Sequence, residues 1–301
     1  MTQDVGVFCK TYRKDFDHLA LMLSSFHRHN PEGLRLTLSL PSQDMSCFRE
    51  RFGTNLPDVQ IIEDESYCSH NLNEFRGWHS QQICKLMSWN AMTEKQYLCV
   101  DSDCYFIRDL RPSELRASDG KRHIIYASFL RTVLIEGREE LPRYIRGELE
   151  ITEKFFPHRR PASPCRINEF VKFRDLDPDS PGALERSDIP MRVFGGDKWV
   201  FFQPGQTYAR FALKHLFDFL TEKKLSIGDL IRISPWENNW YGEFVISQLY
   251  DEMEFRISPF FHIQSKKNLD FARRQGLSTN ILSSKFLLIN MAAGHLSELS
   301  L

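Results

Sequence analysis

Apolar and polar positions along the first third of the chain switch repeatedly between two periods. Val5-Gly6-Val7-Phe8-Cys9 reads as a strand and gives way to the polar Lys10-Thr11-Tyr12-Arg13. Leu19, Leu21, Met22, Leu23 and Phe26 then recur at helical spacing until Asn30-Pro31-Glu32-Gly33 stops them. Leu34–Leu40 alternates with Arg35, Thr37 and Ser39 as a second strand, Met45–Phe52 is a short helix, and Val59-Gln60-Ile61-Ile62 is a third strand. Strand, helix, strand, helix, strand is the rhythm of a parallel sheet covered by helices on both faces, with ligands expected beyond the carboxyl ends of the strands.

Gly77–Thr93 predicts the next helix. Trp78, Gln82, Lys85 and Trp89 fall on one face, Gln81 lies beside Lys85, and Ile83, Leu86 and Met87 form the apolar side. A buried strand starting at Tyr97 and stopping at Asp101-Ser102-Asp103 follows, then another at His123–Ala127. From Arg131 to Pro190 the periodicity is lost and Pro, Arg and Glu accumulate, which predicts a loop-rich insertion serving as a binding loop or as a surface excursion. Gly195-Gly196 precedes an aromatic strand at Trp199–Phe202, and Tyr208–Leu220 is an amphipathic helix. Trp236-Glu237 leads into a helical run reaching Tyr250, Glu254–Ile263 is the last clear strand, and Phe286–Asn290 is a candidate final one.

Composition narrows the class without naming it. The 301 residues are 42% hydrophobic and 26% charged with a net charge of −1, a balance that argues against a dedicated nucleic-acid binder. No apolar run is long enough to span a bilayer and the first residues lack the pattern of a signal peptide, so the expected location is cytoplasmic. The seven cysteines form no C-x-x-C pair and predict neither a disulfide framework nor a structural zinc site.

The candidate chemistry gathers around Asp101-Ser102-Asp103, where a buried apolar run stops at two carboxylates. Strand alternation would point Asp101 and Asp103 to the same side, and a hard divalent cation completed by phosphate oxygens would relieve their repulsion. A solvated strand end is the plain alternative. Lys85 reads either as a solvated helix residue or, with Gln81 and Gln82, as a contact to a phosphate or a sugar hydroxyl. Glu237, between two Trp and a Tyr, is either a first-turn residue suited to the helix dipole or a desolvated carboxylate fit for general-base work. His262 stands near Lys266 and Lys267, and His295 is an alternative ligand.

Taken in order, the nucleotide-binding βαβ half, the helix bearing Gly77-Trp78, Gln81-Gln82 and Lys85, the Asp101-Ser102-Asp103 strand, and Glu237-x-x-x-Tyr241-Gly242 resemble a GT-A-fold glycosyltransferase. They are most similar to a bacterial group found in polysaccharide and lipopolysaccharide gene clusters. The likeness covers most of the chain outside residues 131–190. It implies an α/β fold with a Rossmann-type mixed sheet flanked by helices, and one catalytic domain over residues 1–301. Residues 1–110 would bind the nucleotide-sugar and 111–301 the acceptor.

By the same resemblance Asp101 and Asp103 would hold Mn²⁺ or Mg²⁺ across the donor diphosphate, Asp101 also touching ribose or sugar. Lys10, Thr11 and Tyr12 would meet the base or ribose, and Gln82 and Lys85 the donor sugar or phosphate. His262 would complete the metal shell, with Lys266 or Lys267 on the diphosphate, although no glycine lies between His262 and Lys266 as it does in the H-x-x-G-x-x-K pattern. Glu237 would be the base of an inverting enzyme; in a retaining one the departing phosphate takes the proton. The acceptor would be a glycan or lipid-linked oligosaccharide at the inner membrane face, which Arg159 and Arg160 of the insertion could approach. Two rivals use similar residues. A D-x-D phosphohydrolase would need Thr or Val where Tyr105 stands and its motif on the first strand, and a non-catalytic carbohydrate-binding module would bind sugar and metal without turnover.

Overall fold

The computed structural model describes residues 4–127, 140–150, 157–158, 184–196, 202 and 205–291. The strands are β1 (Val5–Lys10), β2 (Leu36–Leu40), β3 (Val59–Glu63), β4 (Gln96–Asp101), β5 (Cys104–Phe106), β6 (His123–Ala127), β7 (Gln206–Ala209), β8 (Met253–Ile257), β9 (Phe260–Ile263) and β10 (Leu288–Met291). The helices are α1 (Phe16–Arg28), α2 (Met45–Phe52), α3 (Gly77–Met87), α4 (Glu140–Ile145), α5 (Ile189–Val193), α6 (Arg210–Glu222), α7 (Ile227–Ile233), α8 (Glu237–Gln248), α9 (Lys266–Arg274) and α10 (Thr279–Ser283). Among the described residues no helix is long and apolar enough to cross a membrane.

The central sheet runs β3-β2-β1-β4-β7, parallel throughout except for the antiparallel edge strand β7. Pleat alternation explains its two faces. Val5, Val7 and Cys9 of β1 and Leu38 of β2 pack with α1 and α2 through Phe16, Leu19, Met22 and Phe48, while Phe8 of β1 and Tyr97 and Cys99 of β4 pack on the other side with α3, α6 and α8. Because the connection after β1 leads outward to β2 and β3, whereas β4 lies on its opposite flank, β1 and β4 enclose the point where strand order reverses. Loops leaving two neighbouring strands in opposite directions open a crevice there. Lys10 and Asp101 are register partners at that carboxyl edge.

The chain around the acidic pair forms two strands. β4 ends at Asp101, Ser102 and Asp103 form a turn, and β5 joins a second sheet of order β5-β10-β9. The two carboxylates are therefore placed by a turn, and strict strand alternation does not govern them. The predicted strand at 254–263 is likewise split, at Ser258-Pro259, into β8 and β9. Proline lacks the N–H a ladder needs.

β8 pairs with β6, and this two-stranded sheet is tied to the central one by side chains. The Gln96 amide donates to Ile124 O at 2.8 Å and accepts from Ile124 N at 3.0 Å, and the Gln206 amide does the same for Tyr126 at 2.6 and 2.7 Å. Each carboxamide substitutes for a peptide group of a missing strand. α8 is buried on every side from Glu237 to Ser247, which explains why its sequence shows no clean amphipathic stripe. Phe202 packs so closely on Gly242 that a Cβ built there would lie 2.2 Å from the ring. All but Phe202 of the predicted aromatic strand, most of the insertion with Arg159 and Arg160, and His295 lie outside the described residues.

Candidate functional site

A cleft of roughly 250 Å³ opens at the reversal point between β1 and β4. Tyr12, Asp15 immediately before α1 and His18 in the first turn of α1 form one wall; Asp101, Ser102 and Asp103 form the floor; α3 and the start of α8 form the opposite wall. Helix geometry puts Trp78, Gln81, Gln82 and Lys85 of α3 on that wall, since residues three and four apart share a face.

Lys85 is the hub. Its ammonium is buried, 2.5 Å from Asp101 Oδ1 and 3.2 Å from Glu237 Oε1. Burial works against the charge on Lys85, but the carboxylates of Asp101 and Glu237 outweigh it and hold the group well above the ordinary lysine range. Gln81 Nε2 donates to Asp101 Oδ1 at 3.0 Å, and Asn238 Nδ2 to Glu237 Oε1 at 3.1 Å. Asn238 is held in turn by Tyr208, whose hydroxyl donates to its Oδ1 at 2.7 Å. Burial raises the Glu237 carboxyl above its ordinary range, with Lys85 pulling the other way.

Asp103 has a different environment. Burial and the neighbouring Asp101 charge push its carboxyl well above the usual range. Its Oδ1 accepts from Asn290 Nδ2 at 2.8 Å. That bond orients the Asn290 amide, so its Oδ1 faces His262 Nδ1, 3.3 Å away. An amide oxygen can only accept, so His262 carries its proton on Nδ1 and presents a bare Nε2. This nitrogen is buried and has no hydrogen-bond partner. Burial lowers the His262 pKa to about 4 and keeps the ring neutral. A neutral imidazole whose second nitrogen is fixed by an amide oxygen is the form in which histidine binds metals.

Among the described residues no three His, Cys, Asp or Glu side chains converge as a ready-made metal cage. The donor set at Asp101 and Asp103 suits a hard divalent cation of the kind that takes one or two carboxylates and completes its shell with substrate phosphates and water.

The other candidates from the sequence are placed as follows. Lys10 turns away from the cleft into a buried pair with Asp64 at 2.9 Å, supported by Ser39 on Asp64. Thr11 is buried and its hydroxyl has no partner. Tyr12 is on the cleft wall. Gln82 reaches the cleft, donating to Trp78 O at 3.1 Å and leaving Oε1 without a partner. Lys266 and Lys267 are exposed in the first turn of α9 and do not line the cleft. Sequence reasoning missed Asp15, His18 and Asn290. Asp15 accepts from Ser102 Oγ at 3.2 Å, and burial raises its carboxyl. An acid at the N-cap of the helix after β1 was the available signal for Asp15; Asn290 had none beyond its place at a strand end.

A model of a family of unknown function (DUF6492) matches residues 7–131, which takes in most of β1, all of β2 to β6 and the Asp101–Asp103 turn. No curated protein sequence matches the chain. Solved structures similar to it include mouse xyloside xylosyltransferase 1 in its apo form, at 11% identity and a TM-score of 0.45 over 97% of this chain and 98% of that one. The galactosyltransferase LgtC, in complex with donor and acceptor sugar analogues, is 9% identical with a TM-score of 0.44 over 96% and 87%. The apo bifunctional glycosyltransferase WbbM is 12% identical with a TM-score of 0.45 over 98% of this chain and 46% of its own.

Proposed function

We propose that the protein is a glycosyltransferase that moves a sugar from a nucleotide-sugar to a hydroxyl of a glycan acceptor, assisted by Mn²⁺ or Mg²⁺. The observation that carries this reading is the convergence of Asp101, Asp103, Lys85 and Glu237, from three separate places in the sequence, in one cleft at the carboxyl edge of a Rossmann-type sheet. Asp101 and Asp103 would hold the cation, its shell completed by substrate phosphate oxygens and water because His262 does not converge with them as a third ligand, and the cation when bound would offset charge on the departing diphosphate. Tyr12 offers a ring to the base. Gln82 Oε1 supplies an acceptor for a donor-sugar hydroxyl, and Lys85 fixes Asp101 and Glu237 relative to one another.

In transfer, an acceptor oxygen bonds to the anomeric carbon as the bond from that carbon to the diphosphate breaks, the electron pair leaving on the phosphate oxygen. Glu237 takes the hydroxyl proton in an inverting reaction. The proposal extends to a glycan or lipid-linked oligosaccharide acceptor in bacterial surface-polysaccharide synthesis, met at the cytoplasmic face of the inner membrane, and its support there is the sequence resemblance.

A screen of nucleotide-sugars for Mn²⁺-dependent hydrolysis and transfer tests the reading. With the donor identified, the raised Glu237 carboxyl sets the pH dependence: the base must be ionised, so transfer rises with pH along a limb displaced above the usual carboxylate range. Glu237→Gln should lose that limb and about 10²–10⁴-fold in transfer while still binding donor. Unchanged transfer in this variant would reject the base.

A further inference from the structure

On the side of the cleft formed by Glu237 stands an aromatic wall for which the metal and the diphosphate have no use. Trp78, at the second position of α3, is 42% exposed although it is among the largest apolar side chains of the chain. Its ring meets that of Trp236 edge to face at 5.7 Å, and Trp236 immediately precedes Glu237. The packing of Trp78 on Trp236 and on His79, 5.5 Å away, fixes the indole in place while leaving surface open to the cleft. Exposed large apolar side chains are few among the described residues; of Tyr12, Leu21, Trp78 and Ile281, only Tyr12 and Trp78 border the cleft, and they stand on its opposite walls.

The charge of the cleft restricts what can lie against Trp78. Asp15, Asp101, Asp103 and Glu237 supply four carboxyl groups, against the single ammonium of Lys85, which is already shared by two of them. A bound divalent cation and a diphosphate bring charges of opposite sign that largely compensate each other, so a ligand beside Glu237 still meets an acidic surface. An anionic ligand is repelled there, and a hydrocarbon chain would leave these carboxylates without water. A neutral pyranose satisfies both surfaces, with its C–H face on the indole and its hydroxyls toward the carboxylates.

We propose that Trp78, braced by Trp236, is the stacking platform for the acceptor, and that the acceptor presents a neutral sugar ring and not a uronic acid or a phosphorylated sugar. This specifies the acceptor class and rests on the transferase reading above. Trp78 is a binding residue, with Glu237 next to it as the group that receives the hydroxyl proton.

Saturation-transfer NMR titrations of the full chain with a panel of neutral disaccharides (lactose, cellobiose, maltose and mannobiose) and with digalacturonate test it, alongside thermal stabilisation by Mn²⁺ plus nucleoside diphosphates. At least one neutral disaccharide is expected to bind saturably, digalacturonate at least about tenfold more weakly, and Trp78→Ala to raise the neutral-sugar Kd about tenfold or more. Trp78→Phe should recover most of that loss, and both variants should keep the wild-type stabilisation by metal and nucleotide. A wild-type Kd in Trp78→Ala, a preference for digalacturonate, or no disaccharide binding by a protein that metal and nucleotide stabilise would overturn the platform and leave the transferase reading standing. Disaccharide binding through Trp78 without any metal–nucleotide stabilisation would remove the transfer reaction and leave a sugar-binding surface.

Discussion

Asp103→Asn is expected to abolish Mn²⁺-dependent turnover, by about a thousandfold or more, without lowering stability. The activity loss is the order seen when a principal charge-stabilising group is removed from an active site. The stability result follows from the environment. Asp103 is a buried carboxyl whose ionisation is opposed by desolvation and by Asp101, so folding gains nothing from its charge. The amide oxygen of an Asn at this position still accepts from Asn290 Nδ2, and the Asn290–His262 arrangement persists. Steady-state kinetics and thermal unfolding of the same preparation check both parts. Turnover within tenfold of wild type would remove Asp103 from metal binding.

Lys85→Met should have the opposite character, with a large loss of stability that depends on pH. The substitution keeps the length of the side chain and leaves Asp101 and Glu237 facing each other without their shared counter-ion. Removing one member of a buried ion pair costs about 3–5 kcal/mol. The sign of the pH effect is fixed by linkage: the Glu237 carboxyl, already raised by burial, loses the Lys85 ammonium that pulls it down, so its folded-state pKa climbs further above its unfolded value. It is protonated in the fold at acid pH and destabilises it as pH rises through the raised pKa. Urea unfolding at pH 5 and pH 8 should therefore show the larger deficit at pH 8. A small deficit, equal at both pH values, would mean that Lys85 is not what neutralises the pair.

These two variants separate what the sequence made legible from what needed three dimensions. The alternation of β1, α1, β2, α2 and β3 follows from apolar spacing, because each element has one or two buried faces of fixed period. The parallel sheet is therefore readable from residues 5–63 alone. Glu237 was legible as a desolvated acid because Trp236, Trp240 and Tyr241 crowd its sequence neighbourhood, and all are drawn into the interior around α8.

The join between Asp101 and Asp103 was not legible in the same way. Val100, Cys104 and Phe106 are all buried, so hydrophobicity runs through the turn although the chain there passes from one sheet to another. β7 was hidden for a related reason. Its Gln206 is buried as a substitute peptide group for β6, a role that polarity alone disguises. Asp15 and Asn290 belong to the site through contacts spanning 87 and 187 residues, and no local pattern announces such partners. Lys10 shows the converse: its position after β1 suggested a ligand contact, whereas a buried Asp64 25 residues beyond the paired Ser39 claims its ammonium.

On the proposed reading Asp101 and Asp103 hold a divalent cation jointly with a nucleoside diphosphate, because the protein does not supply a three-ligand cage of its own among the described residues. The direct measurement is thermal unfolding with Mn²⁺ alone, with each nucleoside diphosphate alone, and with the two together. Little shift is expected from either component and, for at least one nucleotide, a combined shift well beyond their sum, reaching about 2.7 kcal/mol of stabilisation at a hundredfold excess over Kd. The combined shift should vanish in Asp103→Asn. Stabilisation by nucleotide that is indifferent to Mn²⁺, or a combined shift retained in Asp103→Asn, would contradict it.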